Sequence, residues 1–143
     1  MKYFSTIISL SKIFVYNKSP GYVKTLLKKL NDNYTVPELT LDYVDYCNVF
    51  MYNMLITNTT LTSLSLHKYR FTNNNTIACI SEALKVNTTL TELNIYGPIS
   101  DYNLINISEA LTVNTTLIKL NLHINSIFNV KGLIYVAGFL MFN

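Results

Sequence analysis

The chain has 143 residues, of which half are hydrophobic and 13% are charged, so it is not a disordered, highly charged segment. Its two cysteines are too few for a disulfide framework. The net charge of +3 comes with a single arginine and no basic cluster longer than Lys28-Lys29, so we expect no nucleic-acid partner. The composition predicts one globular domain or an array of short units.

Residues 1–32 are predicted to form an N-terminal cap, or a degenerate repeat, that ends in a helix. Val23, Leu26 and Leu30 recur at the helical period. The apolar stretch before them is a poor signal peptide, because Lys12 interrupts it and no small-residue cleavage site follows. We therefore expect an intracellular protein of the cytoplasm, a compartment that suits unpaired cysteines.

From residue 33 onward the chain repeats itself. The tripeptide Asn-Thr-Thr begins at Asn58, Asn87 and Asn114 and is followed each time by Leu-x-x-Leu-x-(Leu or Ile), and a weaker copy begins at Asn33. Such self-similarity is the signature of a repeat architecture. The predicted units are 33–57, 58–86, 87–113 and 114–143.

Each unit is predicted to contain one strand followed by one helix. Leu64 and Leu66 alternate with polar residues, which indicates a strand with one buried face. Ile77, Ile80 and Leu84 then recur at helical spacing. The Asn-Thr-Thr after each helix consists of turn residues that end it. The apolar residues 132–142 are too few to span a bilayer, which takes about 20, and are predicted to form a buried helix.

Neither the strand nor the helix can bury its apolar face alone, so neighbouring units must stack into a parallel sheet covered by helices. Helices are about 10 Å wide, whereas strands are about 4.8 Å apart. The stack should therefore curve, with the sheet on the inside.

The most complete unit reads LIKLNLHINSI from Leu117 and matches L-x-x-L-x-L-x-x-N-x-L/I at every position. On this motif the chain resembles the leucine-rich repeat family, specifically its helix-containing, ribonuclease-inhibitor-like subtype. The resemblance implies an α/β leucine-rich repeat solenoid, with parallel strands on the concave face and helices on the convex face. The motif's Asn is Asn125 here, but Tyr69 and Val44 replace it in other units, where we expect irregular turns.

The polar positions of the four predicted strands should form three columns that point away from the core. The first holds Glu38, Ser63, Glu92 and Lys119, the second Thr40, Ser65, Asn94 and Asn121, and the third Asp42, His67, Tyr96 and His123. Members of the family often bind partners on this face; a merely solvated face is the alternative. The predicted partner-binding residues are Glu38, Asp42, His67, Glu92, Tyr96, Lys119 and His123, with Tyr96 as the main anchor.

No motif typical of catalysis or cofactor binding is present, so we expect a protein that is not an enzyme and holds no cofactor or metal. His67 and His123 should lie two strands apart, about 9–10 Å, too far to share one zinc ion. Cys47 and Cys79 are predicted to be buried as small apolar residues. The repeated Asn-Thr-Thr also matches the glycosylation acceptor pattern, which matters only if the chain is secreted.

The sequence predicts a non-catalytic interaction module that binds a protein partner on the concave strand face. Two alternatives stay open. One is a fragment or decayed paralogue of a longer array with little activity of its own; the other is a regulatory or adaptor repeat domain of the GTPase-activating or ubiquitin-ligase type. The apolar C-terminal repeat would also allow homo-association.

Overall fold

A computed structural model of the chain describes residues 11–31, 34–42, 48–67 and 75–124. Within these residues, five strands alternate with four helices. In chain order the elements are β1 Lys12–Tyr16, α1 Pro20–Asn31, β2 Glu38–Asp42, α2 Asn48–Thr57, β3 Ser63–His67, α3 Asn75–Leu84, β4 Glu92–Gly97, α4 Asp101–Leu111 and β5 Lys119–Ile124.

The strands form one parallel sheet in the order β1-β2-β3-β4-β5, so strands that are consecutive in the chain are neighbours in the sheet. Parallel neighbours need a crossover connection, and a helix lies in each of the four connections. Equivalent residues of successive units pair directly, as with Leu39, Leu64 and Leu93. This architecture confirms the predicted α/β class with a parallel sheet.

One hydrophobic core joins the sheet to the helices. Leu64, Leu66 and Leu93 are fully buried, and they belong to the same cluster as the inner residues of the helices. Because strand side chains alternate between faces, the leucines occupy the side of the sheet that the helices cover. The helical spacing predicted the buried residues of α3 correctly; in α1, Leu27 is buried where the prediction named the half-buried Leu26.

The first strand, β1, was not predicted. It pairs with β2 so that Lys12 lies beside Glu38 and Tyr16 beside Asp42, and its Val15 enters the core. The sequence pattern alone makes Lys12 an interruption of an apolar stretch. In the strand it simply occupies an outward position, which alternates with the buried ones.

A row of asparagines, the asparagine ladder, ties the turn after each of the helices α2, α3 and α4 to the last turn of the helix before it. Its members are Asn58 and Asn87, which are buried, and Asn114, which is half-buried. The Asn58 side-chain amide donates to the Leu30 carbonyl at 2.8 Å, and its Oδ1 accepts from the backbone N–H of Leu61 at 2.7 Å. Asn87 and Asn114 repeat both kinds of contact one and two units further along.

The ladder changes the interpretation of the Asn-Thr-Thr tripeptide. It ends the helix, as predicted, but its asparagine also holds the last turn of the helix one unit earlier. Asn58 and Asn87 are buried, and their side-chain nitrogens are engaged by backbone carbonyls. The folded chain therefore cannot present these two sites for glycosylation.

Several predictions concern residues outside those the structure describes. These are the helix over 132–142, homo-association through the C-terminal repeat, the motif residue Asn125, and the burial of Cys47. Cys79 is half-buried rather than buried, and burial, followed by the nearby Glu82 carboxylate, raises the pKa of its thiol. In the described part of the chain, no helix is long and apolar enough to cross a membrane.

Candidate functional site

The candidate site is the outward face, the side of the sheet that points away from the helices. The strand register brings its residues into three straight columns. The first column is Lys12, Glu38, Ser63, Glu92 and Lys119; the second is Phe14, Thr40, Ser65, Asn94 and Asn121; the third is Tyr16, Asp42, His67, Tyr96 and His123.

The register places all seven predicted partner-binding residues on this face. Three of them stand in the first column and four in the third, at the positions that the alternating pattern gave them. Sequence reasoning missed Phe14 and Tyr16, because it missed β1. Both are prominent, with 60% and 54% of their surface exposed. The alternation of Ile13 and Val15 with larger polar or aromatic residues was the signal that could have found them.

The first column carries paired charges. Lys119 Nζ donates to Glu92 Oε1 at 2.8 Å, and Lys12 Nζ lies 3.4 Å from Glu38 Oε2. The hydrogen bond from Lys119, followed by one from Asn94, holds the pKa of Glu92 below its usual value, and the same pairing raises the pKa of Lys119. These ion pairs are exposed to solvent, so they contribute little to the stability of the fold. Their main effect is to fix the positions of the ammonium and carboxylate groups on the face.

We expect Lys119→Gln to raise the pKa of Glu92 toward its ordinary value, because the largest cause of the lowering is removed. The return should be partial, since the Asn94 amide still donates to the Glu92 carboxylate at 3.0 Å. A lowered carboxyl pKa contributes stability above the unfolded pKa, and this contribution is lost as the pH falls through the folded pKa.

The measurement is an NMR titration of the Glu92 side-chain carboxyl carbon in the two proteins. Lys12→Gln is the control, because Lys12 is the smallest of the causes acting on Glu92. An unchanged Glu92 pKa in Lys119→Gln would show that the ion pair does not form in solution.

Three residues of the second column, Ser65, Asn94 and Asn121, form a connected hydrogen-bond network. The Asn94 amide donates to Ser65 Oγ at 3.0 Å as well as to Glu92, and the amide of Asn121 donates to Asn94 Oδ1. Asn94 is only 6% exposed, although it lies on the outward face. A buried polar group with its hydrogen bonds satisfied is stable in one orientation. Over β3, β4 and β5 the middle of the face is therefore a polar surface with a fixed arrangement of hydrogen bonds.

The third column contains a row of contacting rings, the ring row, made of His67, Tyr96 and His123. The ring centroids of His67 and Tyr96 are 4.1 Å apart with the planes tilted by 31°, and those of Tyr96 and His123 are 4.5 Å apart and stacked, with 10° between the planes. This spacing follows from the distance of about 4.8 Å between paired strands. A histidine ring therefore lies against Tyr96 from each side, which restricts the rotation of the Tyr96 side chain.

The ring row also separates the two histidines from each other. They lie on β3 and β5, and the Tyr96 ring occupies the space between their imidazoles. In the described part of the chain, no three or more His, Cys, Asp or Glu side chains are grouped so that they could hold a metal ion. Next to the row stands Asp42, which has one buried carboxylate oxygen without a hydrogen-bond partner.

Comparison with known proteins shows similarity of fold only. No protein-family model matches the chain, and no curated protein matches it in sequence. Two similar solved structures are a tropomodulin C-terminal domain of Caenorhabditis elegans and the actin-binding site 2 of leiomodin-1. The first is 13% identical, with a TM-score of 0.67, and the match covers 92% of this chain and 83% of that one. The second is 24% identical, with a TM-score of 0.71, and the match covers 92% of this chain and 79% of that one.

These likenesses correct one prediction: the identification as a ribonuclease-inhibitor-like leucine-rich repeat protein is wrong. The similar structures are a tropomodulin and a leiomodin domain, not ribonuclease inhibitors. The physical reason is that L-x-x-L-x-L reports only a strand with alternate buried leucines in a parallel sheet, which different strand–helix folds share. The recurring structural asparagine that the structure describes stands before the strand, in the asparagine ladder.

Proposed function

We propose that the chain is a non-catalytic protein-binding module, folded as a short curved solenoid of strand–helix units, whose outward face binds the partner. The parallel register supports this proposal, because it sets equivalent side chains of five strands side by side over one continuous surface. Curvature follows from packing helices, which are wider than the strand spacing, on the other side. The outward face would then be concave.

The observation that carries the proposal is the alignment of aromatic side chains along the third column. Tyrosine buries a large amphipathic surface at a modest cost in conformational entropy, and rigid aromatic anchors dominate binding energies. Tyr96 is restricted by its histidine neighbours, and Tyr16 and Phe14 add exposed aromatic surface on β1, beyond Asp42 and Thr40. Little side-chain freedom is left to lose when a partner binds.

The charges of the outward face nearly cancel, so they favour selection among partners over long-range attraction of a partner. Lys12 and Lys119 balance Glu38 and Glu92 in the first column, which leaves Asp42 as the unbalanced charge among the residues of the three columns. A nearly neutral face exerts little long-range steering. Binding through it should therefore depend only weakly on salt.

We propose actin as the first partner to test. One of the similar structures is the actin-binding site 2 of leiomodin-1, and its match covers 92% of this chain. At 24% identity, this likeness supports actin as the first partner to try in an experiment. The substitutions for that experiment are made in residues of the outward face.

The test measures the affinity of actin for the wild type and for Tyr16→Ala/Tyr96→Ala. We expect the double variant to bind at least about 30-fold more weakly, as for the loss of a hot spot of about 2 kcal/mol. The matched control is Tyr102→Ala, which removes an exposed tyrosine from α4 on the helical side of the sheet. Circular dichroism should show that all three proteins are folded.

Two results would count against the proposal in different ways. Equal binding of actin by all three proteins would remove the outward face as the binding surface. No binding of actin by the wild type would remove actin as the partner.

A further inference from the structure

A second surface of the molecule is strongly basic. It lies on and beside α1 and consists of Lys18, Lys24, Lys28 and Lys29, all exposed, together with the rings of Tyr22 and Phe50. The sequences of β1, α1 and α2 contain no aspartate or glutamate. Asp32, which follows α1 in the chain, lies outside the described residues. We call these six residues the basic surface.

The charge distribution along the chain is uneven. The helices α3 and α4 contain Glu82, Asp101 and Glu109, whereas the charged residues of α1 are all lysines. On α3 the neighbouring Lys85 is paired with Glu82 at 2.6 Å. Among the residues that the structure describes, positive charge is therefore concentrated at α1, where it can attract an acidic partner.

Two lysines of the basic surface share one aromatic ring. Lys24 Nζ lies 4.7 Å and Lys28 Nζ 5.4 Å from the centroid of Phe50, which projects from α2. Like charges four residues apart on a helix repel each other, and the ring face offsets part of that cost. An anion placed between the two ammonium groups would relieve the repulsion directly.

We infer that the basic surface binds an acidic segment of a protein partner, with Lys24 and Lys28 as the central carboxylate contacts. This site is separate from the outward face, because α1 packs against the other side of the sheet. The inference does not depend on the function proposed for the outward face. A molecule with both sites could hold two protein surfaces of different chemistry, one nearly neutral and one acidic.

The structure favours an acidic protein segment over a membrane or a nucleic acid. An amphipathic helix binds a bilayer by inserting its apolar side, but Val23, Leu27 and Leu30 of α1 are buried in the core. Single-stranded nucleic acids stack their bases on open aromatic faces, whereas the Phe50 ring is covered by lysines. The described residues also contain no arginine, the residue best suited to bidentate phosphate contacts.

The test uses the full chain and a fluorescent peptide of about twelve glutamates, titrated at about 0.15 M salt. We expect the wild type to bind the peptide, and Lys24→Gln/Lys28→Gln to bind it about three- to tenfold more weakly, since each exposed ionic contact contributes modestly. Lys24→Arg/Lys28→Arg keeps both charges and should bind as the wild type does. Tyr16→Ala/Tyr96→Ala should also bind normally, which separates this test from that of the outward face.

The matched control is Lys85→Glu, which changes the net charge by the same two units on α3. Unchanged peptide binding by Lys85→Glu supports a local site. Equal weakening by Lys85→Glu would overturn the inference, because net charge alone would then explain binding. It would also be overturned by no peptide binding to the wild type, or by tighter binding to vesicles with about 30% phosphatidylserine or to single-stranded DNA.

Discussion

Replacement of Asn87 by alanine is expected to lower the free energy of unfolding by about 3–5 kcal/mol. The Asn87 amide donates to the Leu55 carbonyl at 2.6 Å, and its Oδ1 accepts from the backbone N–H groups of Thr89 at 3.1 Å and Leu90 at 2.7 Å. The substitution leaves these backbone groups without their partner in a region where Asn87 itself is only 7% exposed. Each unsatisfied buried group costs about 1–3 kcal/mol.

Urea denaturation followed by circular dichroism measures this effect. Asn53→Ala is the control, because Asn53 is exposed on α2, and it should change stability by less than about 0.5 kcal/mol. Asn114→Ala should cost less than Asn87→Ala, since Asn114 is only half-buried. If Asn87→Ala proved as harmless as Asn53→Ala, the asparagine ladder would not hold the units together.

The second large effect is expected for Leu64→Ala, at about 2–5 kcal/mol of lost stability. Leu64 is fully buried and lies between Leu39 and Leu93 in the central row of the sheet. The substitution leaves a cavity between the sheet and the helices. The strands around this cavity are held in place by their pairing. Rigid surroundings collapse poorly, so the cost should fall in the upper part of this range.

Leu64→Ile keeps the volume and should cost less than about 1.5 kcal/mol. Ser63→Ala alters the residue just before Leu64, which points to the outward face, and should cost less than about 0.5 kcal/mol. Denaturation curves of the three variants test the assignment of faces. A larger loss for Ser63→Ala than for Leu64→Ala would show that the two faces are reversed.

The sheet could be predicted because its units repeat. The nearly equal intervals between Asn58, Asn87 and Asn114 make equivalent leucines neighbours in space, and a period of two gives each strand one buried face. These two facts were enough to predict which residues of β2, β3, β4 and β5 occupy each column of the outward face. β1 was missed because no Asn-Thr-Thr precedes it and Lys12 obscured its alternation.

The interactions within the site could not be predicted from the spacing. The stacking of His67, Tyr96 and His123 depends on side-chain rotamers that neighbouring rings select together. The contact of Asn87 with Leu55 joins residues 32 positions apart, which only the stacked units bring together. The ribonuclease-inhibitor-like subtype was wrong because the leucine spacing describes a kind of strand and not one family.

The central claim, that the outward face binds a protein, can be tested most directly by site-specific photocross-linking in cells that express the chain. A photoreactive phenylalanine analogue replaces Tyr96 on the outward face or, as the control, Tyr102 on α4. We expect a discrete cross-linked protein from position 96 and none from position 102. Cross-linking from position 102 alone would contradict the claim, since it would place the partner on the helices.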